Sequence, residues 1–127
     1  MSRALDDLDS QFRPLAYELI ARCVEAGIVV MIIDTLRTKE EQEANVAKGV
    51  SWTMNSKHLP QLPEGKSRAI DIAPYSIFQL AGPDKLQWDA GDPVWNRIGE
   101  IGEKLGLKWG VRRGGKQIDP GHFEFVG

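Results

Sequence analysis

Ala69-Ile70-Asp71-Ile72-Ala73-Pro74-Tyr75 is the stretch on which the reading of this chain turns. Successive side chains of a strand point to opposite faces of a sheet, so Ile70 and Ile72 pack one way and Asp71 points the other. That alternation suits a strand that closes a core on one side and carries a ligand carboxylate on the other.

Working upstream, Ile28 to Asp34 is β-branched and apolar and reads as a second buried strand. Between the two strands, Thr38 with Glu41 three residues on makes a capping box for a helix through Lys48, ended by Gly49, which leaves Arg37 at a strand-to-helix junction. Ser51 to Arg68 holds Pro60, Pro63 and Gly65 with little periodicity and reads as a long loop, the kind of segment that often carries function. Leu5, Leu8, Phe12, Leu15, Leu19, Ile20 and Cys23 recur at three- and four-residue steps and predict a helix from Leu5 to Ala26, with Pro14 the point at which it would break and Gly27 its cap. Downstream, Val94, Trp95, Ile98, Ile101 and Leu105 mark an amphipathic helix ended by Gly106. Leu107 to Val111 reads as a short strand, Arg112 to Gly115 as a hairpin-like loop, and His122 to Val126 as strand-like. The class is α+β, a small, mainly antiparallel sheet flanked by helices. With 127 residues and no internal repeat or low-complexity linker, residues 1–127 are expected to form a single domain.

The balance of 16 Lys+Arg against 18 Asp+Glu, a formal net charge of −2, offers no basic face for phosphate backbones, so nucleic acid is not an expected partner. Cys23 is the one cysteine, which excludes an internal disulfide and a cysteine-based metal cluster. The acidic N-terminal sequence shows no signal peptide, and the longest apolar run, Ile28 to Ile33, is far short of the ~20 residues that span a bilayer, so no membrane insertion is expected.

His58 and His122 are the two histidines, and each stands beside turn residues near a carboxylate. A catalytic zinc takes three protein ligands, often histidine and carboxylate, and keeps one position open for water. His58, Asp71 and His122 could supply them; the alternative is a surface Asp71 and two unrelated histidines. Asp119-Pro120-Gly121-His122 predicts a type II turn that makes Asp119 a neighbour of His122, where it would serve as a general base or simply cap the turn.

Together, Ser56-Lys57-His58, Gly65-Lys66-Ser67-Arg68-Ala69-Ile70-Asp71 and Asp119-Pro120-Gly121-His122-Phe123-Glu124 resemble the SxH…GxAxD and [DE]xxH signatures of the VanY-like D-Ala-D-Ala carboxypeptidase and L-alanyl-D-glutamate endopeptidase family of zinc peptidases. Leu36-Arg37-Thr38-Lys39-Glu40-Glu41-Gln42 is similar to its R-[ST]-x-x-E-Q segment. His58 and Asp71 stand further apart than in the family's HxxGxAxD pattern, through an insertion within Leu59 to Lys66 that contains Pro60 and Pro63.

The resemblance implies a hedgehog/D-Ala-D-Ala-peptidase-like fold and one Zn2+ held by His58, Asp71 and His122. It also implies Asp119 as the base and Arg37 as the cation that steadies the carbonyl oxygen. Guanidinium is always charged and presents a fixed donor fork, which fits an oxyanion or a substrate carboxylate. Ser56 is expected to bond substrate and Glu124 to orient a ligand from behind. Tyr75 and Trp109, and with them Trp52 and Trp88, are candidates to line a muropeptide cleft, and Arg112, Arg113 and Lys116 make a small basic loop. The expected activity is an endolysin cutting the L-alanyl-D-glutamate bond of the peptidoglycan stem peptide. D-alanyl-D-alanine carboxypeptidase or dipeptidase activity, or a non-catalytic zinc-bearing binding module on the same scaffold, are the alternatives. An endolysin of this kind would be a monomer without a cell-wall-binding domain. It would be made in the host cytoplasm and released onto the wall through a separate holin-type pore.

Overall fold

The computed structural model describes residues 2–49, 51, 54–80, 82–113 and 115–127, apart from the side chains of Arg112 and Arg113. The elements in chain order are α1 (Arg13–Glu25), β1 (Val30–Asp34), α2 (Lys39–Ala47), β2 (Ala69–Pro74), α3 (Val94–Lys104), β3 (Lys108–Trp109), β4 (Arg112–Arg113), β5 (Lys116–Gln117) and β6 (His122–Glu124). Four strands form one sheet in the order β1-β2-β6-β3 with every pair antiparallel, and β4 with β5 forms a separate hairpin. The fold is α+β with a small antiparallel sheet, as the sequence pattern predicts. Among the described residues no helix is long and apolar enough to cross a membrane.

Strand β2 is central, and its alternation sets the layers. Ile70 and Ile72 are fully buried with Phe123 of β6, Ala16, Leu19 and Cys23 of α1, and Trp95 and Ile98 of α3. Cross-strand partners share a face, so the register Asp71↔His122 puts these two on the opposite side from the pair Ile70↔Phe123. On the other edge the register of β1 slips between Ile32 and Asp34, bringing Asp34 rather than Ile33 opposite Asp71. Such a bulge re-aims a side chain. Asp34, Asp71 and His122 thereby form a polar row across three strands.

Three expectations are corrected. The predicted helix from Leu5 to Ala26 is two pieces, a 3-10 turn at Leu5–Asp7 and α1, with Pro14 in the first turn of α1 where its missing N–H costs nothing. Between them Asp9 Oδ1 accepts from the Gln11 backbone N at 2.9 Å, and Asp9 N donates to the Ser67 carbonyl at 2.8 Å, so the chain turns rather than coiling on. The turn at Asp119 forms, with His122 N bonded to the Asp119 carbonyl at 3.3 Å, but Gly121 is not among the glycines with positive φ that type II requires. Glycine is needed there for room: a Cβ would lie 2.3 Å from the Ile72 carbonyl oxygen. The strand predicted over Leu107 to Val111 is only β3, because Gly110, at φ 71°, bends the chain into the β4–β5 hairpin.

The insertion within Leu59 to Lys66 closes on itself, Gln61 N bonding the Lys66 carbonyl at 2.9 Å and Gly65 N the Gln61 carbonyl at 2.8 Å. Its outer end clasps the N-terminal segment: Glu64 Oε2 accepts from Ser10 Oγ at 2.7 Å and Lys66 Nζ donates to the Asp6 carbonyl at 2.8 Å. The extra residues therefore leave the start of β2, and Asp71 with it, in place.

Candidate metal centre and catalytic cleft

Each member of the cluster comes from a different piece of backbone. Asp71 is held by β2, His122 by β6, and His58 by the loop before β2, where Arg37 N bonds the His58 carbonyl at 2.8 Å and the His58 N bonds Ser56 Oγ at 3.1 Å. One ligand atom from each of His58, Asp71 and His122 falls within 4.8 Å of the others, and the imidazole centroids are 5.2 Å apart, edge to face.

His58 is 2% exposed, and its Nδ1 donates to the Thr35 carbonyl at 2.7 Å. A carbonyl can only accept, so this bond places a proton on Nδ1 and leaves Nε2 facing the cluster. That Nε2 lies 3.1 Å from Asp71 Oδ1 yet is buried with no hydrogen bond. A buried imidazole nitrogen that faces a carboxylate oxygen without a hydrogen bond is a position that a cation can fill. The donor set of two imidazoles and a carboxylate, with a backbone carbonyl behind one imidazole and a carboxylate behind the other, suits a divalent metal such as zinc.

His122 sits between two carboxylates, Nδ1 2.9 Å from Asp71 Oδ1 and Nε2 3.0 Å from Glu124 Oε1. Burial opposes a charge on its ring, but the bonds to Asp71 and Glu124 prevail and push its pKa up to about 10. Burial likewise opposes the charge of Asp71, and the two imidazoles, His122 foremost, outweigh it and hold this carboxyl far below the usual range. The hydrogen bond from His122 also lowers Glu124.

Asp119 stands at the edge of the cluster. Burial first, and then the negative charge of Asp71, push its carboxyl up to about 6, against the pull of His122, His58 and Arg37. A carboxylate that titrates near neutrality is suited to taking and returning a proton.

Arg37 is not the solvated cation that its position before a helix permits. Its Nε donates to Asp34 Oδ2 at 2.8 Å, its second terminal nitrogen bonds the same oxygen, and its Nη1 donates to Gln42 Oε1 at 2.6 Å. The second terminal nitrogen also lies 3.7 Å from Asp71 Oδ2, which aims the guanidinium at the cluster. Thr38 and Glu41 form the expected capping box one residue on, fixing the start of α2 and so the place of Gln42.

Arg37, Ser56, His58, Asp71, Asp119, His122 and Glu124 line one cleft of about 300 Å³, with Lys57 and Asn55 on its wall. Tyr75 and Trp109 are not in it. Tyr75 lies just past the end of β2 and lines a separate hollow with Ile28 and Val94, while Trp109 packs on Gly99 and donates its Nε1 to the Pro120 carbonyl at 2.7 Å, bracing the turn between Asp119 and His122. Trp52 and the side chains of Arg112 and Arg113 lie outside the described residues. Asp34 and Thr35 support the site and are left out by the sequence reading, which quotes Gln42 within the R-[ST]-x-x-E-Q segment but gives it no role. Their signal was an acid ending an apolar strand and a glutamine four residues after the cap, both of which also describe ordinary surface positions.

A small antiparallel sheet bearing a two-histidine, one-carboxylate cluster that could hold a metal, beside an acid and a half-buried arginine, has the layout of a hydrolytic site. The chain belongs to the phage L-alanyl-D-glutamate peptidase family, whose family model matches residues 1–126. It is 34% identical over 100 residues to the L-alanyl-D-glutamate peptidase of Listeria phage A118, a match covering 78% of this chain and 31% of that protein. The chain thus matches about a third of that relative's length. Its fold is similar to the Serratia marcescens L-Ala D-Glu endopeptidase ChiX, with a TM-score of 0.70 and 16% identity over 96% of this chain and 83% of that one.

Proposed function

We propose that residues 1–127 form one catalytic unit, a zinc-dependent endolysin that hydrolyses the L-alanyl-D-glutamate bond of the peptidoglycan stem peptide. The observation that carries the reading is His58 Nε2, buried without a hydrogen-bond partner 3.1 Å from Asp71 Oδ1, in a cleft shared with Asp119 and Arg37. Family membership supplies the substrate class.

In this reading His58 Nε2, Asp71 and His122 Nδ1 hold one Zn2+. When bound, the ion supplies a Lewis acid that polarises the scissile carbonyl and acidifies water. Thr35 and Glu124 orient the two imidazoles through their outer nitrogens. Asp119 takes the proton of the attacking water and returns it to the leaving amine of D-glutamate. Arg37, held rigid by Asp34 and Gln42, faces the carbonyl oxygen as negative charge grows on it, with no reorganisation required. Ser56 offers its hydroxyl to the substrate backbone at the cleft wall. The protein acts as a monomer, made in the host cytoplasm and reaching the wall through a separate holin-type pore.

The test is mass spectrometry of fragments released from purified peptidoglycan by zinc-loaded protein, beside Asp119→Ala and a chelated control. Fragments with new D-glutamate N-termini, absent from both controls, are expected. Loss of only a terminal D-Ala would assign a D-alanyl-D-alanine carboxypeptidase instead, and silence from zinc-loaded protein would assign a binding module.

A further inference from the structure

Asp71 and Asp119 form a partition with a cavity on each side. The cleft that contains His58 carries Arg37, Lys57 and Asn55. The second hollow, about 220 Å³, is walled instead by Ile33, Ala90, Trp95, Ile118 and Trp88. Of its lining residues Trp95 is buried, whereas Ile118 and Trp88 remain 39% and 59% exposed. A mainly apolar hollow that opens beside the carboxylates of the cleft has the make-up of a ligand subsite. Trp88 is also pinned in place: its Nε1 donates to Asp84 Oδ2 at 2.8 Å, and Asp84 Oδ1 accepts from the Leu86 backbone N at 3.1 Å.

We propose that this hollow is the subsite for the acyl side of the scissile bond, that its occupant is the amino sugar from which the stem peptide hangs, and that Trp88 is its specificity-determining residue. This rests on the stem-peptide reading above. A bond held at Asp119 has two arms. The D-glutamate arm carries carboxylates, which the ammonium of Lys57 on the wall of the polar cleft attracts. The other arm is uncharged: the alanine methyl, then a lactyl ether, then a pyranose ring. A single methyl fills little of 220 Å³. The remaining space and the flat indole match the apolar C–H face of the ring, while the sugar hydroxyls stay in water at the open side.

The experiment compares an L-alanyl-D-glutamyl peptide with a free N-terminus and the same peptide carried on N-acetylmuramic acid, using zinc-loaded wild type and Trp88→Ala. The wild type is expected to cleave the muramoyl substrate with kcat/KM about tenfold higher, equivalent to ~1.4 kcal/mol. Trp88→Ala should remove that advantage, chiefly through KM, and leave the sugar-free peptide unchanged, while Trp88→Phe should keep part of it. A Trp88→Ala effect equal on both substrates, or on neither, overturns the subsite. Failure of the wild type to cleave either would sink the stem-peptide reading instead. Calorimetry with N-acetylmuramoyl-L-alanine then decides the subsite alone: heat lost in Trp88→Ala supports it, and no heat with the wild type overturns it.

Discussion

Asp34 Oδ2 accepts the Nε proton of Arg37 at 2.8 Å, and the carboxylate that makes this bond is 1% exposed. The guanidinium is thus oriented from behind by a group that never meets solvent. Asp34→Asn keeps the shape and removes the charge, so Arg37 loses the partner that fixes its fork. Turnover is expected to fall about 10- to 100-fold, because small misplacements of a charge-stabilising group are costly, with bound zinc still one per chain. Steady-state kinetics beside metal analysis checks this; lost zinc together with lost activity would place Asp34 in the metal site's support instead.

Metal binding should release a proton. His122 is held protonated up to about 10 in the metal-free protein, so at neutral pH a metal at Nδ1 displaces a proton from the ring. Zinc affinity is expected to rise about tenfold per pH unit between about pH 7 and 9. Competition with a chromophoric chelator across that range reads the slope directly, and a flat profile would contradict the assignment of His122.

The same ring sets a pH dependence of stability in the chelated protein. Its folded pKa, about 10, lies above the ordinary 6.5, so the contribution is fully present below pH 6.5 and is lost as pH rises from 6.5 towards 10. Urea unfolding in chelator should show stability falling across that window. Zinc-loaded protein should not show this decline, since the ring is then unprotonated throughout.

How much of this was legible in the sequence follows from the range of the forces involved. The β2 alternation, the Thr38 capping box and the amphipathic α3 are local patterns, and each appears where its residues place it. The break before α1 was half legible: Pro14 marks it, but the Asp9–Ser67 bond that turns the chain joins segments far apart in sequence. His58, Asp71, Asp119 and His122 were legible as a group because ordered signatures carry them. Asp34 was not, since its role arises from a bulge in β1, which leaves no residue pattern, and Gln42 stood in the R-[ST]-x-x-E-Q segment while its bond to Arg37 follows from the direction of α2. Tyr75 and Trp109 show the opposite failure: adjacency to a signature strand placed them near the site in sequence, while the strand's length and a hydrogen bond to Pro120 direct them elsewhere.

Glu124 is 3.0 Å from His122 Nε2, the nitrogen turned away from Asp71. Glu124→Gln retains a hydrogen-bond acceptor but withdraws the charge that makes the ring a strong donor. Zinc affinity is expected to fall about 10- to 100-fold, the usual cost of losing a carboxylate behind a ligating histidine. Activity measured at saturating zinc should recover most of its value. Competition titration and activity as a function of free zinc together check the two halves of this expectation.

Gly99 lies in α3 against the Trp109 indole, and a Cβ there would sit 2.3 Å from the ring. Trp109 cannot swing aside freely, because its Nε1 is bonded to the Pro120 carbonyl at 2.7 Å. Gly99→Ala must therefore displace the indole, and with it the turn that spaces Asp119 from His122. Overpacking of this kind costs about 1–3 kcal/mol, partly offset by the better helix propensity of alanine. The expected result is a lower melting temperature together with a loss of turnover larger than the fraction unfolded accounts for. Thermal unfolding and kinetics on the same preparation separate the two. Full turnover in a destabilised Gly99→Ala protein would show that Trp109 supports the fold without setting the position of Asp119.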